Sequence, residues 1–191
     1  MNILVIDGHP YQQSFCQALA DQYTAGAREQ GHQVELLSLR DLKFELSLKS
    51  GYSLIQELET DLVNAQSALK KADHIVIVTP IWWGGPPALL KGFMDRTFLP
   101  GFAFKYRKGS KLWDKFMKGK TGRLIVTSDA PSWYMRFYRG DSTVRLIRES
   151  TLDFVGVWPI GVTRLGDIKW LKEPQRLKTL AKVRQLGARA K

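Results

Sequence analysis

HIVIVTPIWWGGPPALLKGFMDRT, residues 74–97, decides the fold. Its opening run, Ile75-Val76-Ile77-Val78, is apolar and β-branched, with the length of a buried strand. Its close, Leu89, Leu90, Phe93 and Met94, recurs at helical spacing. Between them, Pro80-Ile81-Trp82-Trp83-Gly84-Gly85-Pro86-Pro87 combines two glycines, three prolines and two adjacent tryptophans. Glycine and proline make sharp turns; a turn does not need tryptophan. Two readings of the pair are open. The rings could flank a planar ligand beyond a strand's carboxyl end, or fill the core or a subunit interface.

Outward from this block, apolar strands alternate with helical patterns. Residues 2–6 read as the first strand and 33–39 as the second. Residues 75–79, 123–127 and 157–163 read as the third to fifth. After the first strand comes the loop Asp7-Gly8-His9-Pro10-Tyr11-Gln12-Gln13, then Ser14, a helix cap. The helix that follows carries Phe15, Ala18, Leu19 and Tyr23 on one face, with Gly31 as its stop. An amphipathic helix is expected within 52–72, with Leu54, Ile55, Leu58, Leu62, Ala65 and Leu69 as its stripe. Further helices are expected from Pro87, over 142–154 and over 173–190. Residues 98–122 read as a long aromatic and basic connection. The expectation is one α/β domain over residues 1–191. Its five-stranded parallel sheet is doubly wound in the flavodoxin-like order 2-1-3-4-5, with helices on both faces.

Composition narrows the classes. At 191 residues the chain is long enough for one substantial core. No apolar run approaches a membrane span, and the first residues read as a strand rather than a signal peptide. The lone Cys16 excludes an internal disulfide, and the cytoplasm is the expected compartment. His9, His32 and His74 lack metal-ligand spacing, so no metal site is expected. The net charge of +11 is concentrated in places: residues 105–123 hold eight Lys or Arg against Asp114. This is either a solvated face or an attraction for anions. No nucleic-acid motif accompanies it, so nucleic acid is not an expected partner.

In the expected sheet a ligand sits at the switch point between strands one and three. Loops 8–14, 80–87 and 128–134 converge there. Ser14 at a helix start suits an anion, and His9 could add a ring donor. Each also has an ordinary reading, as a plain cap and a loop histidine. Neither GxGxxG nor GxxxxGK[ST] is present.

Three blocks carry a family resemblance. They are Gly8-His9-Pro10 with Ser14-Phe15, the run from Pro80 through Arg96, and Gly101-Phe102-Ala103-Phe104. On these the chain resembles the flavodoxin-like NAD(P)H:quinone oxidoreductases, the DT-diaphorase-like flavoproteins. The resemblance implies a bound flavin, FMN in short members and FAD in longer ones. NAD(P)H would be the hydride donor, and the acceptor a quinone or similar small molecule served by ping-pong turnover. It further implies a homodimer. His9, Ser14, Phe15 and Cys16 would hold the phosphate end. Pro80, Ile81, Trp82, Trp83 and Gly84 would run beside the isoalloxazine. Thr127, Ser128 and Asp129 would border its pyrimidine side.

Tyr134 is the expected catalytic hydroxyl. Trp133, Phe137 and Tyr138, with Phe102, Phe104 and Tyr106, are either an outer wall or core and dimer contacts. Arg136 and Arg139 would suit nicotinamide-cofactor phosphates. Two departures stand out. Cys16 replaces a common asparagine, and Asp129-Ala130-Pro131 replaces a glycine-rich turn. Two other classes stay open: a flavodoxin-type electron carrier, poorly matched by the basic charge, and a regulatory ancillary subunit of a potassium-efflux system. The basic surface would allow the second to associate weakly with an anionic membrane.

Overall fold

The structure, a computed structural model, describes residues 1–190; Lys191 lies outside them. In chain order the elements are β1 (Asn2–Asp7), α1 (Phe15–Glu29), β2 (Gln33–Ser38), α2 (Thr60–Lys71), β3 (His74–Pro80) and α3 (Ala88–Thr97). There follow β4 (Phe104–Tyr106), β5 (Trp113–Lys115), β6 (Thr121–Thr127), α4 (Ser142–Ile147), β7 (Ile160–Leu165) and α5 (Glu173–Ala188). The main sheet is ordered β2-β1-β3-β6-β7, and each pairing is parallel. Counting only its own strands, that is the order 2-1-3-4-5, with the reversal between β1 and β3.

The strands are continuous apolar runs because both sheet faces are covered. Every residue of β3 is buried. Along β1, Ile3 and Val5 pack with Leu19 and Tyr23 of α1 and Val183 of α5. Leu4 and Ile6 point the other way, to Leu62 and Leu69 of α2 and Phe93 of α3. The period of two puts successive residues into opposite cores. On the α1–α5 side the helices touch backbone to backbone. A Cβ at Gly26 would lie 1.9 Å from the Arg184 carbonyl oxygen, and one at Gly187 would lie 2.1 Å from that of Tyr23.

Four expectations shift. The helix expected within 52–72 starts only at Thr60. Tyr52, Leu54 and Ile55 are exposed and form no stripe. Residues 45–59 instead wrap the fully buried Arg96 of α3. Its guanidinium donates to the Glu45 carbonyl (2.6 Å), the Glu57 carbonyl (2.9 Å) and the Glu59 carboxylate (2.9 Å). Tertiary bonding to one arginine overrides helical patterning here. The helix expected over 142–154 is α-helical only to Ile147, then widens into a π-helical stretch, Arg148–Asp153. The fifth strand begins at Ile160 rather than 157, just after Pro159, which has no N–H for the ladder. The long connection 98–122 contains a β4–β5 hairpin. Trp113 stacks on Phe154 at 4.6 Å and donates to its carbonyl at 2.9 Å, fastening the hairpin to the body.

Candidate functional site

The site begins where β1 ends. Asp7 is fully buried. One of its oxygens accepts the His9 N–H at 3.1 Å, and the other pairs with Arg40 at 2.5 Å. Arg40 also donates to the His9 carbonyl at 3.2 Å and to Ser38 Oγ at 3.1 Å. The buried ion pair thus sets the course of the first loop. His9 Nδ1 accepts the Tyr11 N–H at 3.0 Å. That bond leaves Nε2 as the protonated nitrogen of the neutral ring. Burial lowers the His9 pKa, with Asp7 pulling the other way, so the ring is neutral near pH 7.

Ser14 takes the extended conformation of an N-cap, and its Oγ accepts the Gln17 N–H at 3.1 Å. The first N–H groups of α1 have no intrahelical acceptor, and the helix dipole adds partial positive charge there. The Arg176 guanidinium lies 5.2 Å from the Phe15 ring centroid. It is tied by donation to the carbonyls of Leu171 (3.2 Å) and Ile168 (3.1 Å). Cys16 is buried, with Sγ 3.3 Å from Thr127 Oγ1. Burial pushes its thiol pKa up to about 12. It remains a protonated packing group, not a nucleophile.

Beyond β3, Trp82 and Gly85 exchange backbone hydrogen bonds of 2.8 and 2.9 Å around a two-residue turn. Trp83 and Gly84 within it have φ of +54° and +80°. Two positive φ values are what a type I′ turn requires; glycine adopts the second freely, whereas the tryptophan bears a strain of about 1 kcal/mol. The Gly84 carbonyl accepts from Ser142 Oγ at 2.5 Å and Thr143 Oγ1 at 3.0 Å, docking the turn onto α4. The Trp83 side chain is fully exposed, and the Trp82 ring sits edge-on to His9 with centroids 5.5 Å apart.

The third loop leaves β6. The Ser128 N–H donates to the Leu165 carbonyl at 2.9 Å, and its Oγ to the Ala130 carbonyl at 2.7 Å. The loop lies directly on Gly166, where a Cβ would come within 2.4 Å of the Ser132 nitrogen. A π-helical turn, Tyr134–Tyr138, follows.

The three loops enclose one cleft of about 610 Å³. His9, Ser14, Phe15 and Cys16 line one part, and Pro80, Ile81, Trp82, Trp83 and Gly84 another. Thr127, Ser128 and Asp129 complete the set expected from sequence. Tyr134 does not join them. Its ring stacks on Tyr138 at 5.4 Å, and the wide π turn presents Met135 to the cleft instead. Trp133, Phe137 and Tyr138 project into solvent, and Phe104 packs into the core against Phe154. Arg136 lies over Phe137 at 5.1 Å, outside the cleft; Arg139 lines it. Tyr11, Ala130, Met135, Ile168 and Arg176 also line it and were not read from sequence as site residues. Ile168 and Arg176 carry no local motif; only the return of the chain after β7 brings them in.

The donor set suits a flat ring that ends in a phosphate. Phosphate would meet the start of α1, Ser14 and the Arg176 cation. A planar ring would lie along the Pro80–Gly84 backbone, where the Trp83 and Gly84 N–H groups have no partner among the described residues. The volume falls in the usual range for a small-ligand pocket. Among the described residues no cluster of His, Cys, Asp or Glu could hold a metal ion. Among the same residues no helix is long and apolar enough to cross a membrane.

A family model described as a flavodoxin-like fold matches residues 1–188. The chain belongs to that family. An uncharacterised NAD(P)H oxidoreductase of Haemophilus influenzae is 27% identical over 184 residues, covering 92% of this chain and 89% of its own. NAD(P)H dehydrogenase [quinone] 1 of Cavia porcellus is 28% identical over 178 residues, covering 80% of this chain and 64% of its own. This flavodoxin-like chain therefore spans less than two thirds of the Cavia protein. The crystal structure of Smu.1420 from Streptococcus mutans UA159 superposes with a TM-score of 0.80 at 28% identity, covering 99% of this chain and 100% of the other.

Proposed function

We propose that this flavodoxin-like protein is an FMN-dependent NAD(P)H oxidoreductase that reduces quinones or similar small acceptors by a ping-pong route. The observation that carries it is the convergence of a Ser14-capped helix start, the Trp82–Gly85 turn and the Thr127–Asp129 loop on one cleft. The names of its relatives support the same reading. Bound FMN would supply the two-electron chemistry, taking hydride from NAD(P)H and passing electrons to the acceptor.

The chain's own part is binding and orientation. Ser14, the first N–H groups of α1 and Arg176 would hold the phosphate. The backbone of Ile81 to Gly84 would lie beside the ring, and Trp82, braced by His9, would restrain one side. The unpartnered N–H groups of the Trp83–Gly84 turn would stabilise negative charge that develops on a ring lying there. The neutral His9 offers its Nε2 proton as a hydrogen-bond donor. Donor and acceptor would alternate in the remaining open space, and a homodimer would close it further.

The test is an absorbance spectrum of the purified protein, identification of any flavin released on denaturation, and steady-state NAD(P)H oxidation with a quinone. Yellow protein carrying FMN and parallel double-reciprocal plots are expected. Colourless protein that binds neither FMN nor FAD, and oxidises no NAD(P)H when they are added, would refute the proposal.

A further inference from the structure

We propose that Arg139 is a specificity-determining residue of this cleft. It would select a second ligand that carries an anionic group, a phosphate, sulfonate or carboxylate. The inference rests on the reading above, with FMN in the inner part of the cleft. Among the described residues two arginines line the cleft, and they come from elements far apart in the chain. Arg176 is held over Phe15 beside the Ser14 cap. Arg139 leaves the far side of the Tyr134–Tyr138 turn, its N–H bound to the Tyr134 carbonyl at 3.1 Å. Three residues on, Ser142 is bound to the Gly84 carbonyl, so Arg139 stands near the Trp83–Gly84 turn. FMN has one phosphate, and the Arg176 end serves it. The Arg139 charge is left over.

Among the described residues no acid forms an ion pair with it. The neighbouring Asp141 is already held bidentately by Arg164, with Nε–carboxylate distances of 3.0 and 3.1 Å. Among the described residues that line the cleft Asp129 is the single acid, and it forms no ion pair with either arginine. A free guanidinium at the rim of a partly apolar cleft favours an entering anion and does nothing for a neutral ligand. One charge-assisted contact of this kind is worth about tenfold or more in affinity.

The anion can come from either substrate: the phosphates of NAD(P)H, or an acid group on the acceptor. The FMN-loaded wild type, Arg139→Ala, Arg139→Lys and Arg136→Ala are compared in two arms. The donor arm sets NADPH against reduced N-ribosylnicotinamide, which has no phosphate. The acceptor arm sets 1,4-naphthoquinone-2-sulfonate against 2-methyl-1,4-naphthoquinone. The readout is the ratio of kcat/KM for the charged over the uncharged member.

In Arg139→Ala that ratio is expected to fall about tenfold in at least one arm, with substantial recovery in Arg139→Lys. The arm that moves identifies the source of the anion. Ratios that stay within about twofold in both arms, or that Arg136→Ala lowers as much, overturn the inference. If the wild type turns over no pair at all, the functional reading fails separately. Arg139 is then tested by the quenching of tryptophan fluorescence by NADP+ and by the sulfonate. Equal Kd values in wild type and Arg139→Ala for both ligands overturn it. Weaker binding in the variant supports it.

Discussion

His74 makes stability depend on pH in a way that can be worked from its surroundings. It opens β3 and is only 2% exposed. Its Nε2 lies 3.1 Å from the Tyr23 hydroxyl and its Nδ1 2.6 Å from Thr121 Oγ1. Burial first, then the Arg123 and His32 charges, lower its pKa from 6.5 to about 4. In the unfolded chain the ring recovers its ordinary value near 6.5. Between these values the unfolded state binds more protons, so falling pH favours unfolding. The contribution is fully present above pH 6.5 and is lost as pH falls toward 4.

Linkage between the two pKa values gives a loss of about 2 kcal/mol on going from pH 7 to pH 5. Urea unfolding of wild type and His74→Gln at half-unit steps from pH 7.5 to 5 isolates the term, because the carboxylates common to both cancel. Glutamine lowers the absolute stability, yet the two curves should converge by about 2 kcal/mol at the acid end. Parallel curves would mean that the folded protein accommodates imidazolium at this position and that His74 adds nothing to the acid sensitivity.

Arg96→Leu removes four charge-assisted bonds and frees residues 45–59; because Glu59 is partly exposed, a loss of about 3 kcal/mol is expected in urea unfolding, with new proteolytic cleavage in that segment. Gly187→Ala forces a methyl to within 2.1 Å of the Tyr23 carbonyl, so α5 must lift from α1. A loss above about 2 kcal/mol and faster amide exchange along α5 should follow. Asp129→Asn removes a carboxylate that lines the proposed ring site, and the midpoint potential of bound FMN should rise by about 30 mV, the equivalent of about 1.4 kcal/mol for two electrons. Tyr134→Phe deletes a hydroxyl outside the cleft and should leave kcat within about twofold, which steady-state assay checks.

Local patterns along the chain are enough to specify the sheet and the three loops at its carboxyl edge. Buried parallel strands must be continuous apolar runs, and the crossover rule leaves few ways to order them. Turn chemistry is equally local, so Ser14 and the Trp82–Gly85 block could be placed before any contact was known. What depends on distant partners is settled by folding alone. Arg96 converts an apparent helical stripe into a wrapped loop. A π turn, invisible in periodicity, sends Met135 rather than Tyr134 into the cleft. Ile168 and Arg176 arrive from the far side of β7, and Cys16 sinks beneath Thr127. In each case the deciding energy is a hydrogen bond, an ion pair or a packing contact between residues far apart in the chain, and no local pattern records such a contact.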